Sequence, residues 1–228
     1  PVPRAPVPVY IGGLVEPVDR SIPLNRRAAF LKEVGSFPSV AVSNADLSSV
    51  YRLADGALSP LTGPMRKQVF DRVLDEQVVI SQGRPYAWTI PISLPVSQAE
   101  AAALRPGASV ALRNEAGEIV AAVDGVEIFA WDKARYVKSV YGTERLDHPG
   151  GRMVESETRT QLLGGEIRVL PQPVNPEYGQ YMLSPRMVRA LIRDRKWERA
   201  LAFQTRNPLH RAHEYALVCG VELLTGQG

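Results

Sequence analysis

Up to about Val169 the chain is built of short apolar-rich runs, broken at close intervals by turn residues. The runs at 78–80, 86–94 and 109–114 read as strands. Glu115-Ala116-Gly117 reads as a turn, after which residues 118–123 return as the partner strand. Asp124-Gly125 is a second turn signal, and residues 126–130 form the next strand. Strands at this spacing predict a small mixed barrel or a curled sheet. Helical periodicity is rarer and is found at 24–31, 64–74 and 133–141, the last closed by Gly142. Proline at four of the first eight positions predicts an extended arm before the first element.

The pattern changes near Pro171, where Pro171, Pro173 and Pro176 punctuate the chain. A boundary between 168 and 169 is therefore expected, with domains at 1–168 and 169–228. Ser184-Pro185 reads as an N-cap followed by proline at the first helical position. Met187, Val188, Leu191 and Ile192 then share one helical face, away from Arg186, Arg189 and Arg193. Residues 197–203 read as a short strand, and a polar loop follows, Gln204-Thr205-Arg206-Asn207-Pro208. From about 210 to 224 the chain is apolar nearly all round, which predicts a buried helix. Helix, strand, loop and buried helix in that order open a parallel α/β sheet, in which ligands bind beyond the strand's C-terminal end. The expected class is thus α+β, a mixed β-barrel followed by the start of an α/β domain.

Composition excludes several classes. With 45% hydrophobic and 22% charged residues, the 228-residue chain is neither disordered nor fibrous. Its single cysteine, Cys219, cannot form an internal disulfide, which points to a reducing compartment. It has neither an apolar run of about 18 residues nor a signal-peptide core, so no membrane span is expected and a cytoplasmic location is. The net charge of +3 hides an asymmetry. Eight basic residues against Asp194 and Glu198 give residues 184–213 a charge of +6, leaving −3 for the rest. A local basic focus suits an anionic ligand, although a solvated helix face reads the same way.

The loop Q-T-R-N-P-L-H-R-A-H, residues 204–213, concentrates the chemistry. Pro208 keeps the chain open until the helix begins. His210 and His213, three apart, share one face of the first helical turn, where unpaired N–H groups and the helix dipole favour anions. Arg206 offers a planar fork to a tetrahedral oxyanion, and Gln204 adds a neutral donor. Taken singly, a His-x-x-His pair is more often structural or a metal pair, but no further Cys, His or carboxylate completes a metal site here.

These residues carry a resemblance. Residues 204–214, QTRNPLHRAHE, resemble the signature loop of the ATP sulfurylase (sulfate adenylyltransferase) family, one of the HxGH-type nucleotidyltransferases. Residues 58–65, LSPLTGPM, are similar to the family's SPLxGFM segment, residues 88–94, WTIPISL, to its WPIPITL strand, and residues 140–150, VYGTERLDHPG, to its VYGTxDxxHPG; the match runs from Gly12-Gly13-Leu14-Val15 to Glu214. Pro64 stands where the family has Phe and Gly151 where it has Val. The resemblance implies a PUA-like N-terminal domain followed by the start of a Rossmann-like catalytic domain. It also implies conversion of ATP and sulfate to adenosine 5′-phosphosulfate and pyrophosphate, with Mg²⁺ accompanying the ATP, and a homo-oligomer is expected. By the same carry-over, Gln204 and Arg206 bind sulfate, Thr205 and Asn207 lie near the phosphates, and His210 and His213 hold the departing β,γ-phosphates. All six would contact ATP, and Thr205, Arg206, Asn207, His210 and His213 would serve catalysis. The family's GRDHAG-type loop does not occur in these residues, so the expectation is either part of a longer polypeptide or a truncated product. Nor does a G-x-x-x-x-G-K-[ST] phosphate loop, so no adenylylsulfate kinase is encoded here. Two other readings stand beside this one: a non-catalytic ATP-sulfurylase-like module within a larger protein, and a PUA-like RNA-binding module. The basic surplus lies outside the first region, so a nucleic-acid partner is not expected.

Overall fold

A computed structural model describes residues 13–226. The proline-rich start and Gly12 lie outside the described residues. Two compact units divide between Pro185 and Arg186.

The larger unit is built on seven strands: β1 (Ser39–Ala41), β2 (Val78–Ser81), β3 (Arg84–Ala87), β4 (Leu94–Val96), β5 (Val110–Arg113), β6 (Ile119–Ala130) and β7 (Gln161–Val169). Five of them form a mixed sheet in the order β1-β5-β6-β7-β4, with only the β1/β5 pair parallel. Strands β2 and β3 form a separate hairpin. The sheet keeps two edges, β1 and β4, so of the two forms expected, mixed barrel or curled sheet, it is the curled sheet. Around it lie α1 (Arg27–Val34), α2 (Asn44–Ala54), α3 (Lys67–Glu76), α4 (Gln98–Ala103), α5 (Lys133–Tyr141) and α6 (Pro149–Ser156). Leu53, Leu94, Leu112, Leu162, Leu163 and Ile167 are its fully buried large side chains.

Two strand expectations are corrected. Asp124-Gly125 is not a turn but a bulge inside the continuous β6. The strand pairs on both sides, and a reversal there would forfeit both ladders. The bulge is pinned by Ser109 Oγ donating to Asp124 Oδ1 at 2.6 Å, by Arg168 Nε donating to Asp124 Oδ2 at 2.7 Å, and by Arg66 Nη1 donating to the Gly125 carbonyl at 2.5 Å. The run 86–94 is likewise two pieces, because β3 ends at Ala87 and β4 begins at Leu94 in the other sheet. Between them Trp88 N–H turns to the Gln77 carbonyl at 2.7 Å, Trp88 Nε1–H to the Ile90 carbonyl at 2.8 Å, and Pro91 has no N–H for a ladder.

Helices α2, α4 and α6 are marked by their caps rather than by periodicity. Ser43 with Asp46, and Ser97 with Glu100, form full capping boxes. His148 caps α6 ahead of Pro149. At the end of α5, Gly142 takes the left-handed conformation at φ 66°.

In the smaller unit α7 (Pro185–Asp194) and α8 (Arg211–Gly226) are the described helices. Lys196 at φ 54° and Trp197 N–H donating to the Ile192 carbonyl at 3.0 Å close α7 with a Schellman-type turn. Residues 197–203 are not a strand: among the described residues this unit holds no second strand to supply a ladder. Among the described residues the apolar side chains of α8, expected to be buried, are exposed, Tyr215 at 73% and Leu223 at 66%. Within the unit Leu201 packs on α8 at Gly220, where a Cβ would lie 2.5 Å from its Cδ2.

Two features of the larger unit generate predictions. Residues 62–65 cross β7 at backbone contact, Ile167 N–H donating to the Thr62 carbonyl at 3.0 Å and Gly165 N–H to the Pro64 carbonyl at 2.9 Å. A Cβ on Gly164 would lie 2.3 Å from the Met65 carbonyl oxygen. Gly164→Ala is therefore expected to destabilise by about 1–3 kcal/mol, read from urea unfolding. Arg159 ties α2 and β4 to the approach of β7, bonding Asp46 Oδ2 at 2.9 Å, both Glu157 oxygens at 2.8 and 2.5 Å, and the Pro95 carbonyl at 3.2 Å. The Arg159 guanidinium pulls the Glu157 carboxyl from its ordinary 4.5 down to about 2. A depressed carboxylate stabilises above its unfolded value and loses that contribution as pH falls through its folded one. Glu157→Gln should thus be less stable than wild type above pH 4.5, and the gap should close toward pH 2. Urea midpoints measured across that range test this.

Candidate functional site

Pro208 and the Thr205 side chain shape the loop at 204–210. The Thr205 hydroxyl accepts from Asn207 N–H at 3.1 Å and donates to the Asn207 carbonyl at 3.2 Å, closing a small turn without helix. Gln204, Thr205, Arg206 and Asn207 are all exposed. Among the described residues no ion pair engages Arg206, so its guanidinium stands open to an anion.

The two imidazoles are organised more tightly. His210 immediately precedes α8, and its Nδ1 accepts from Ala212 N–H at 3.3 Å. His213 in the first turn reaches back, its Nδ1 accepting from His210 N–H at 3.3 Å. Two imidazoles here stand where Ser and Glu ordinarily form a capping box, except that His210 takes the N–H of the second helical residue, Ala212. The His210 carbonyl accepts from His213 N–H at 2.8 Å and Glu214 N–H at 3.1 Å. The rings stack with centroids 3.8 Å apart at 29°. A neutral imidazole that accepts at Nδ1 carries its hydrogen on Nε2, so each ring has an Nε2–H donor at the positive end of a 16-residue helix. Phe203 completes the group, its ring 5.3 Å from that of His213 at 60°.

The fold thus brings His210, His213 and Phe203 together. Gln204, Thr205, Arg206 and Asn207 lie on the adjoining loop, and no hydrogen bond joins them to the imidazoles. Phe203 is the residue that sequence reasoning passed over, taken as the last position of a strand; its place beside the loop was the available signal. Among the described residues no three His, Cys, Asp or Glu side chains cluster to hold a metal ion, and no helix is long and apolar enough to cross a membrane.

The larger unit has a cavity of about 430 Å³ among Phe70, Trp131, Tyr136, Tyr141, Glu157 and Arg159. Burial pushes the Tyr136 hydroxyl up to about 12. None of the candidate residues lines this space.

Comparison with known proteins gives the context of the loop. The PUA-like domain family matches residues 10–172, and the ATP-sulfurylase family matches residues 179–226, which include the whole loop. A sulfate adenylyltransferase of Pyropia yezoensis is 45% identical over 95% of this chain and 50% of its own length. One of Nostoc punctiforme is 35% identical over 92% of this chain and 52% of its own. The chain spans about half the length of these curated relatives. Among solved structures, a hexameric APS kinase from Thiobacillus denitrificans superposes with a TM-score of 0.72 at 26% identity, over 96% of this chain and 38% of that one. This chain belongs to the PUA-like domain family over most of its length, and its segment with the imidazole-capped loop is similar to ATP sulfurylases.

Proposed function

We propose that this chain supplies the PUA-like domain and the anion-binding loop of a sulfate adenylyltransferase, which joins ATP and sulfate into adenosine 5′-phosphosulfate and pyrophosphate. In this reading residues 169–228 open a Rossmann-like catalytic domain, the exposed apolar side chains of α8 belong to its core, and the enzyme is a homo-oligomer working in the cytoplasm. The observation that carries the proposal is the imidazole pair at the head of α8, each ring accepting at Nδ1, on the same loop segment as the exposed Arg206.

The chemistry follows from charge. A sulfate oxygen attacks the α-phosphorus, a new P–O bond forms, and the bond from that phosphorus to the bridging oxygen of the β-phosphate breaks. Negative charge then develops on the departing pyrophosphate. No proton needs to move, so the protein's task is positioning and charge stabilisation. His210 and His213 present neutral N–H donors to the leaving phosphates, aided by the α8 dipole. Arg206 and Gln204 take the sulfate, and the turn closed by Thr205 and Asn207 sets the spacing between the two anions. ATP arrives as its Mg²⁺ complex. The loop has no carboxylate cluster, so the ion is carried in on the phosphates as part of the substrate.

Two substitutions test the assignment in the full-length enzyme. His213→Ala is expected to lower turnover by roughly 10²-fold, the scale of losing one charge-stabilising donor. Its melting midpoint should fall only slightly, because losing a cap costs about 1 kcal/mol. A variant that unfolds while its folded fraction keeps full turnover would make His213 structural. Arg206→Lys replaces a two-pronged donor with a point charge. Sulfate use should weaken about ten- to a hundred-fold while ATP saturation changes little. Equal losses for both substrates would mean that Arg206 organises the loop as a whole.

A further inference from the structure

The proposed chemistry engages residues 204–213 alone. The segments at 88–94 and 140–150, which also resemble the ATP sulfurylase family, play no part in it. In the structure both border the cavity of the larger unit, through Ile90, Pro91, Ile92 and Ser93 on one side and Tyr141 on the other. Gly150 lies so close to the Tyr141 ring that a Cβ there would stand 2.4 Å from Tyr141 Cζ. All the lining residues fall between 45 and 162, inside the stretch matched by the PUA-like family, so the walls belong to one domain. At about 430 Å³ the space is of a size that small-molecule sites have, about 300–1,000 Å³.

The lining decides which ligands suit it. Tyr136 stands among aromatic rings, with Trp131 at 5.6 Å and 87°, Phe70 at 6.2 Å and 28° and Tyr141 at 6.5 Å and 70°. Such walls favour a flat ring. The cations here are already engaged. Arg159 bonds Glu157, Asp46 and the Pro95 carbonyl, and Lys133 donates to the Glu157 carbonyl with its ammonium 5.4 Å from the Trp131 ring centroid. Against Asp46 and Glu157 these two cations leave no net charge, so nothing calls for an anion. The groups left over suit a neutral ligand. Asp46 accepts its bonds at Oδ2, and among the described residues nothing donates to Oδ1. Among the same residues the Tyr136 hydroxyl has no hydrogen-bond partner, and burial, which pushes it up to about 12, keeps it a donor. The Trp131 Nε1–H is buried and also without a partner, but it is closed to solvent and out of a ligand's reach.

We propose that this cavity binds an uncharged, flat nitrogen heterocycle of the aminopurine kind, held among Tyr136, Tyr141 and Trp131, with its amino group donating to Asp46 Oδ1 and a ring nitrogen accepting from the Tyr136 hydroxyl. The site is separate from residues 204–213 and does not depend on the proposed role of that loop. A polyanion such as ATP finds no unengaged cation in it.

The probe is 2-aminopurine riboside, whose fluorescence is quenched when it stacks on aromatic rings, titrated with the full-length protein. Quenching should saturate with a Kd below about 1 mM and should be unchanged by saturating ATP. Tyr136→Phe removes only the hydroxyl and should weaken binding about three- to tenfold while leaving turnover of ATP and sulfate unchanged. Purine riboside lacks the amino group and should displace the probe only at a concentration about tenfold or more higher than 2-aminopurine riboside itself requires. If Tyr136→Phe does not fold, Tyr141→Leu, which removes one aromatic wall, takes its place with a loss of the same size expected. Absence of saturable quenching overturns the proposal, whether the space stays empty or the rest of the polypeptide covers it. Displacement by ATP also overturns it, because the probe then sits in the catalytic site. So does full-strength binding to Tyr136→Phe, or purine riboside that competes as well as the aminopurine. Failure of the catalytic reading looks different: His213→Ala would turn over as fast as wild type while probe binding stays as described.

Discussion

How the N–H groups at the head of α8 are satisfied governs what the smaller unit can do. A helix start leaves four such groups without intrahelical partners, and most proteins meet the need with a hydroxyl or a carboxylate. Here two imidazoles meet it through Nδ1, each capping from the other's side of the turn. The consequence goes beyond stability. A carboxylate cap would place a negative charge where the proposed function puts a phosphate. An imidazole accepts from the backbone with one nitrogen and can donate outward with the other, so in that proposal the group that closes the helix would also receive the anion.

The larger unit is held by devices of a different kind. Residues 62–65 lie on β7 at a separation that only hydrogen at Gly63 and Gly164 permits, so backbone packs directly on backbone. Arg159 then gathers Asp46, Glu157 and the Pro95 carbonyl, linking α2 and the edge strand β4 to the approach of β7. On the other side of the sheet, Arg168 bridges Asp124 in the β6 bulge and Glu33 of α1. The charged groups of this unit are largely consumed in holding it together. Arg206, the charged residue of the loop at 204–207, is exposed.

Much of the architecture could be read from local signals. The helix at Lys133–Tyr141 with its Gly142 end, the hairpin partners around the Glu115–Gly117 turn, and the proline-opened α7 follow from capping and turn chemistry that acts within a few residues. Helices α2 and α4 were not among the helices expected, and the signal passed over was the pairing of Ser43 with Asp46 and of Ser97 with Glu100. The loop residues Gln204 to His213 stood out because their chemistry is unusual as a set, and that can be seen without knowing where any of them points.

What sequence could not decide depended on partners distant in the chain. Asp124-Gly125 has the composition of a turn, and it became a bulge because β6 is paired on both flanks by β5 and β7. Residues 197–203 have the composition of a strand, and they stay unpaired because a strand exists only where a neighbour completes its ladder. The same holds at the site. Sequence alone singled out the side chains proposed to carry the chemistry: two histidines three apart, an arginine and a glutamine, with a proline that keeps the loop open. The tertiary structure decided which nitrogen of each imidazole faces the backbone and that Phe203 bears on one of them. The physical reason is that side-chain identity is written residue by residue, whereas orientation is set by contacts between residues whose separation in the chain says nothing of their distance in space.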